Sequence, residues 1–244
     1  MNTMFRSARG SSARFILLVC EDERMPTDGM CSLCEEQYTK QGMSNHLRAC
    51  RSDHVQGEHD TFHLRAEGAR LPDFWVHFEV AADATLQSLD RFLRNLWLEC
   101  CGHLSAFKVD GVRYAARPTS GLNERDMDYE VGALLDEGTE FTHEYDFGST
   151  TELSLRVVEW DDHHCGFGVT ADYGDMPVRL LARNDMPDIR CGVCGDEATA
   201  VCSAHTFDDE GWLCDDCQAD HECGQEMFLP VVNSPRVGVC GYTG

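Results

Sequence analysis

Phe141-Thr-His-Glu-Tyr-Asp-Phe-Gly-Ser-Thr-Thr-Glu-Leu-Ser-Leu-Arg-Val-Val158 reads as two strands joined by a tight turn. Phe141, His143, Tyr145 and Phe147 fall on one face of the first strand, and Thr142, Glu144 and Asp146 on the other. Leu153, Leu155 and Val157 share a face of the second. Gly148 supplies the backbone freedom a turn requires. Alternation on both sides of a glycine predicts a hairpin. Upstream, Phe74, Val76, Phe78 and Val80 alternate with Trp75, His77 and Glu79, which predicts a half-buried strand. Leu86, Leu89, Phe92, Leu93, Leu96 and Trp97 recur at helical steps, one apolar stripe of a helix running to about Cys100. Asp110-Gly111 predicts a second hairpin between residues 107–109 and 112–114. Residues 129–135 suggest a short helix closed by Gly138, and residues 178–182 another strand. Together they predict an α+β fold, an antiparallel sheet with helices packed on one face, flanked by two small zinc-binding modules.

The run Tyr145-Asp146-Phe147-Gly148, with the strand at 74–80 and the helix after it, resembles the ORF-three-like family of the root-inducing plasmid pRiA. Members of that family often travel as passengers in insertion sequences. After Gly148 the chain departs from the commonest family pattern: Ser149, Thr150 and Thr151 stand where an acidic residue and a tryptophan are usual. The resemblance implies a fold for residues 69–189 and a mobile-element setting. It implies no reaction.

Composition bounds the rest. The chain has 244 residues and a net charge of −23, with Lys40 and Lys108 the only lysines. Acid in place of surface lysine points to a halophilic protein, whose carboxylates hold water while salt screens their repulsion. An acidic cytosolic protein from a moderate cell is the alternative. Strong salt weakens both repulsion from phosphate and attraction to it, so net charge does not exclude nucleic acid. The early apolar run at 15–20 is far shorter than the roughly 20 residues of a membrane span. Arg6, Arg9 and Arg14 precede it and Glu21, Asp22 and Glu23 follow, without a small-residue cleavage site. The expectation is a cytoplasmic protein with no membrane contact.

Of the 14 cysteines, nine lie in ligand-like spacings among histidines, which in the cytosol favours zinc over disulfides. A flexible arm is expected at 1–28, basic at its start, with one short strand at 15–19. Within 29–52, Cys31-x2-Cys34-x11-His46-x3-Cys50 has the spacing of a C2HC zinc finger. His46 and Cys50 project from one helix face onto the ion held by the two earlier cysteines. Tyr38 and Met43 stand where such a finger places its plugs. So short a segment needs the metal for its stability. Residues 53–68 read as a linker, with His54, His59 and His63 in water.

From Cys191 the character changes. Cys191 and Cys194, Cys202 and His205, Cys214 and Cys217, and His221 and Cys223 form four ligand pairs in a cysteine-rich module at 190–226. A cross-brace would join the first pair to the third and the second to the fourth, as in B-box-like modules. A simpler ribbon would use Cys191, Cys194, Cys214 and Cys217 alone. The total is two or three zinc ions. No lysine or arginine lies between Cys191 and Cys223, which disfavours a phosphate-binding face there. The tail, 227–244, is apolar and rich in turn residues, which suggests that it docks on the central domain. Cys240 reads as a small buried residue rather than a ligand.

No nucleophile elbow, phosphate loop or HExxH run is present. His143, Tyr145 and Asp146 lie close in sequence, and Cys101 and His103 lie near a strand start. The acidic and histidine run at 161–165 reads as a solvated loop. The reading is a non-catalytic, zinc-binding adaptor. It would contact nucleic acid through residues 1–52, where Arg48 and Arg51 are basic, or protein through residues 191–223. The alternative is an enzyme or small-ligand binder with a pocket near Tyr145 and Asp146.

Overall fold

This computed structural model describes residues 27–54, 60–120, 123–161 and 177–244. The expected strand at 15–19, most of the N-terminal arm, His59 and the run after Asp161 lie outside the described residues. The finger segment supplies β1 (Asp28–Cys31), β2 (Gln37–Thr39) and α1 (Lys40–Cys50). The middle supplies β3 (Thr61–Gly68), β4 (Trp75–Ala81), α2 (Leu86–Leu93), β5 (Ser105–Val109), β6 (Val112–Ala115), β7 (Glu124–Arg125), β8 (Glu140–Tyr145), β9 (Thr151–Asp161) and β10 (Val178–Asn184). The last part adds β11 (Ala200–Cys202), β12 (Trp212–Leu213), α3 (Asp215–Gln218) and β13 (Phe228–Pro230). Ten strands form one sheet in the order β2-β1-β10-β4-β3-β9-β8-β5-β6-β7, antiparallel except for β6 and β7. A second sheet has the order β12-β11-β13.

The hairpin forms from β8 and β9, with Phe141 opposite Leu155 and His143 opposite Leu153. The left-handed backbone sits at Asp146 (φ 64°) rather than at Gly148. Aspartate tolerates this conformation because its side chain bonds locally; here Asp146 Oδ1 accepts the Gly148 N–H at 3.1 Å. The helix predicted to reach Cys100 holds α-geometry to Leu93, then widens into a π turn over Arg94–Leu98. The apolar stripe continues through it, since Leu96 and Trp97 are buried. Val131–Ala133 is a single 3-10 turn where a short helix was expected.

Two expectations fail for one reason. Thr61–Gly68, expected within a linker, is strand β3, paired with β4 and β9 in the middle of the sheet. Strand β4, expected to be half-buried, is buried along its whole length. Alternation along β4 is as read: Phe74, Val76, Phe78 and Val80 enter the main core with α2, where the Phe78 and Phe92 rings lie 5.0 Å apart. The opposite face is covered by the finger. Trp75, Leu181 and Ala182 form one cluster with Cys31, Met43 and Leu47. His77 and His63 meet at 2.8 Å, both fully buried, so His63 is not the solvated histidine its polar neighbours suggest. Arg51, just past α1, is 4 % exposed. It pairs with Glu79 of β4 and, at 2.9 Å, with Glu159 of β9.

The finger is therefore part of the sheet. Strand β1 pairs with β10, placing Gly29 opposite Asn184. A Cβ at Gly29 would meet the Trp75 ring and the Arg183 carbonyl at 2.5 Å, so only glycine admits the tryptophan. The finger's apolar support comes from a fully buried indole that a 24-residue segment could not supply itself.

Burial drives His77 down to about 3 and His63 well below its ordinary value of 6.5. Both stay neutral in the fold, while an unfolded chain protonates them near pH 6.5. The unfolded state then binds more protons below pH 6.5. Stability is kept above that pH and lost as pH falls from 6.5 toward about 3. Each imidazole contributes a slope of up to about 1.4 kcal/mol per pH unit. Urea midpoints measured from pH 8 to 5 should fall in the native chain and flatten in a His63→Gln/His77→Gln variant.

Candidate metal centres

Among the described residues, four groups of cysteine and histidine bring their ligand atoms within 4.8 Å of one another, close enough to hold a metal ion. Three of them gather the twelve ligands read from spacing.

The finger group is Cys31, Cys34, His46 and Cys50. Cys31 ends β1 and Cys34 follows in a turn closed by the Glu35 N–H donating to the Cys31 carbonyl at 2.9 Å. His46 and Cys50 lie one turn apart on α1, which starts where the Thr39 hydroxyl accepts the Gly42 N–H at 3.1 Å. Cys34 Sγ lies 3.3 Å from His46 Nε2, and Cys31 Sγ lies 4.0 Å from Cys50 Sγ. Tyr38 stacks on His46 with ring centres 4.0 Å apart, so the expected plug also fixes the imidazole plane. Burial pushes the Cys31 thiol up and the Cys50 thiol to about 12. Such thiols ionise at neutral pH only with a cation beside them.

The C-terminal groups take the cross-braced pairing. Cys191, Cys194, Cys214 and Cys217 converge, as do Cys202, His205, His221 and Cys223. In the first, Cys194 Sγ and Cys214 Sγ lie 3.5 Å apart. Cys191 is partly held up by burial, but backbone N–H donors at Cys194, Cys214 and Val193 outweigh it and bring the thiol to about 6. That pocket is prepared for a thiolate. In the second, Cys223 Sγ lies 3.7 Å from His205 Nδ1. His221 Nε2 is buried without a hydrogen-bond partner, as a ring nitrogen aimed at an ion would be. The donor sets, rich in thiolate and closed at four ligands, suit zinc in a structural role.

Spacing did not reveal the fourth group, Cys100, Cys101, His103 and Cys240. Cys240 is exposed, not the small buried residue its apolar setting suggests. The local signal was Cys100-Cys101-Gly102-His103; its completion lies 139 residues beyond Cys101.

The tail covers one side of Tyr145 and Asp146, the residues beside which the alternative reading places a small-ligand pocket. Arg236 is fully buried there. Its guanidinium lies 4.7 Å over the Tyr145 ring and pairs with Asp146 at 2.9 Å. It also donates to Thr151 Oγ1 at 3.0 Å. Burial pushes Tyr145 up to about 12, and its hydroxyl donates to Glu99 at 3.1 Å. His143 lies apart, bonded through Nε2 to Asp90 of α2 at 2.8 Å. Of two open hollows of about 730 and 480 Å³, neither is lined by Tyr145 or Asp146, but the smaller is lined by their neighbours Leu104, Ser105 and Phe147. Among the described residues no helix is long and apolar enough to cross a membrane.

No protein-family model matches this chain, and no curated protein does. A crystal structure of a protein of unknown function, MM3350 from Methanosarcina mazei Go1, is similar at 15 % identity with a TM-score of 0.39. The match covers 45 % of this chain and 65 % of that one.

Two predictions follow from this geometry. Cys31→Ser should lower the metal content by one equivalent per chain, and Cys191→Ser by one more in the double variant, counted by elemental analysis. A full complement in Cys31→Ser would refute that ligand set. Arg236→Ala should destabilise the chain by about 3 kcal/mol in urea, because Asp146 stays buried without its cation.

Proposed function

We propose that the chain is a non-catalytic, zinc-binding adaptor that engages a protein partner through the acidic module at 191–223. The observation that carries this is the surface of that module. Val193 and Phe207 are 66 % and 67 % exposed, large apolar groups on a segment that has no lysine or arginine of its own between Cys191 and Cys223, with Arg70 lying 4.9 Å over the Phe207 ring. Apolar anchors within an acidic field suit a partner presenting basic and apolar side chains. In this reading zinc at the three spacing-defined groups is structural. The ions hold short loops rigid so that the anchors are presented at low entropic cost.

A nucleic-acid role for residues 1–52 is the second reading, favoured by Arg48, which is exposed on α1. It is weakened by Arg51, whose guanidinium is committed to Glu79 and Glu159. The resemblance of residues 69–189 to the pRiA ORF-three-like family sets the adaptor beside mobile elements. The charge of −23 supports a salt-rich cytoplasm as its setting.

The test is crosslinking in cells at the host's own salt concentration. The intact chain is compared with a Val193→Asp/Phe207→Ala variant and with Cys31→Ser. Protein crosslinks that map to 191–223 and vanish in the double variant are expected. Crosslinks to nucleic acid that vanish only in Cys31→Ser would replace this reading with the finger-based one.

A further inference from the structure

We propose that Cys100, Cys101, His103 and Cys240 form a further zinc site, which clasps the C-terminal tail to the sheet beside Tyr145. The site lies outside the three groups used above and does not depend on the adaptor reading.

The distances are those of a ligand shell. Cys101 Sγ lies 3.6 Å from Cys100 Sγ, 3.8 Å from Cys240 Sγ and 2.9 Å from His103 Nε2. His103 Nε2 lies 3.2 Å from Cys240 Sγ. With Zn–S near 2.3 Å, the edge of a tetrahedron between two sulfurs is about 3.8 Å. Direct disulfide pairing would need about 2.05 Å.

The surroundings are those of a metal site as well. His103 turns Nε2 to the sulfurs while its Nδ1 lies 3.5 Å from Asp146 Oδ1. A carboxylate behind the second ring nitrogen fixes the ring and its tautomer in metal-ligating histidines. Arg236 Nη2 lies 3.3 Å from Cys100 Sγ, a cationic donor beside one sulfur. Glu99 Oε1 accepts the Gly102 N–H at 2.6 Å, which ties down the loop between two ligands.

The backbone bends to bring the four together. Gly102 has φ 78°, and Cys240 has φ 51°, a left-handed conformation that costs a cysteine energy. Ion binding releases the three thiol protons to solvent and leaves three thiolates and a neutral imidazole around one dication. The shell carries one net negative charge, which Arg236 faces.

The clasp joins residues far apart in sequence. On the tail side, Cys240 follows buried Arg236, Val237 and Val239. On the sheet side, Cys100 and His103 place their N–H groups 3.5 and 3.3 Å from the Tyr145 hydroxyl. Loss of the ion would leave the tail held by Arg236 and its apolar contacts. Unlike the other three groups, this one has two exposed cysteines, Cys101 and Cys240, so its ion is open to chelators and oxidants.

The experiment treats the intact, metal-loaded chain with N-ethylmaleimide and reads each cysteine by peptide mass spectrometry. Cys101 and Cys240 should react at least about tenfold more slowly than free exposed thiols until a zinc chelator is added. Immediate alkylation would overturn the proposal. So would protection that persists through chelation and ends only on reduction, since that marks a disulfide. Cys240→Ser should lose one zinc equivalent while Cys31, Cys191 and Cys202 stay protected, and trypsin should cleave after Arg236 at least about tenfold faster. An unchanged zinc count in Cys240→Ser would also overturn it.

Discussion

Strand β4 must be buried on both faces, and most of the molecule answers that requirement. Its seven residues, Trp75–Ala81, carry large side chains in both directions. One face is closed by α2. The other presents Trp75, His77 and Glu79, which neither water nor another sheet covers. The finger covers it: Met43 and Leu47 pack on Trp75, Arg51 neutralises Glu79, and β1 extends the sheet through β10. Burying an indole stabilises by a few kcal/mol only if something dry sits on it. The pairing of finger and sheet is thus mutual. The finger gains a core it lacks, and the sheet gains a lid over its polar row.

The C-terminal tail solves a similar problem at the other end of the sheet. Asp146 is forced into a left-handed turn at the end of β8 and is nearly buried. A carboxylate in that position needs a cation. Arg236 provides it from the tail and also caps the Tyr145 ring. Further back along the tail, Asn233 and Asn184 at the end of β10 exchange hydrogen bonds, and Ser234 donates to the Trp97 carbonyl at 2.7 Å. The segment after β13 is therefore a structural strap.

Local chemistry was legible wherever it was written locally. Spacing picked out Cys31, Cys34, His46 and Cys50, which the fold brings together, because a turn and a helix face fix where such side chains point. For residues 191–223 spacing left a cross-brace and a ribbon both open, with Cys191, Cys194, Cys214 and Cys217 common to the two, and the fold gathers the second group of Cys202, His205, His221 and Cys223 as well. The β8–β9 hairpin was visible from alternation alone. His63 misled because a strand that is buried on both faces carries no alternation to read. Cys240 misled because its partners are 137 and 139 residues away in the chain.

By itself, the sequence determined that β4, β8, β9, β10 and the β5–β6 hairpin are strands, that α2 carries one apolar stripe, that Cys31, Cys34, His46 and Cys50 belong together, and that the chain is acidic and rich in thiols. These follow from periods of two and 3.6 residues and from the reach of a side chain. Only the tertiary structure decided that the finger belongs to the sheet, that His63 and His77 form a dry pair, that Arg236 occupies the site beside Tyr145, and that Cys240 meets Cys101 and His103. Each of these joins residues from distant parts of the chain. Such pairings depend on how whole faces are covered, and no local pattern of residues records that.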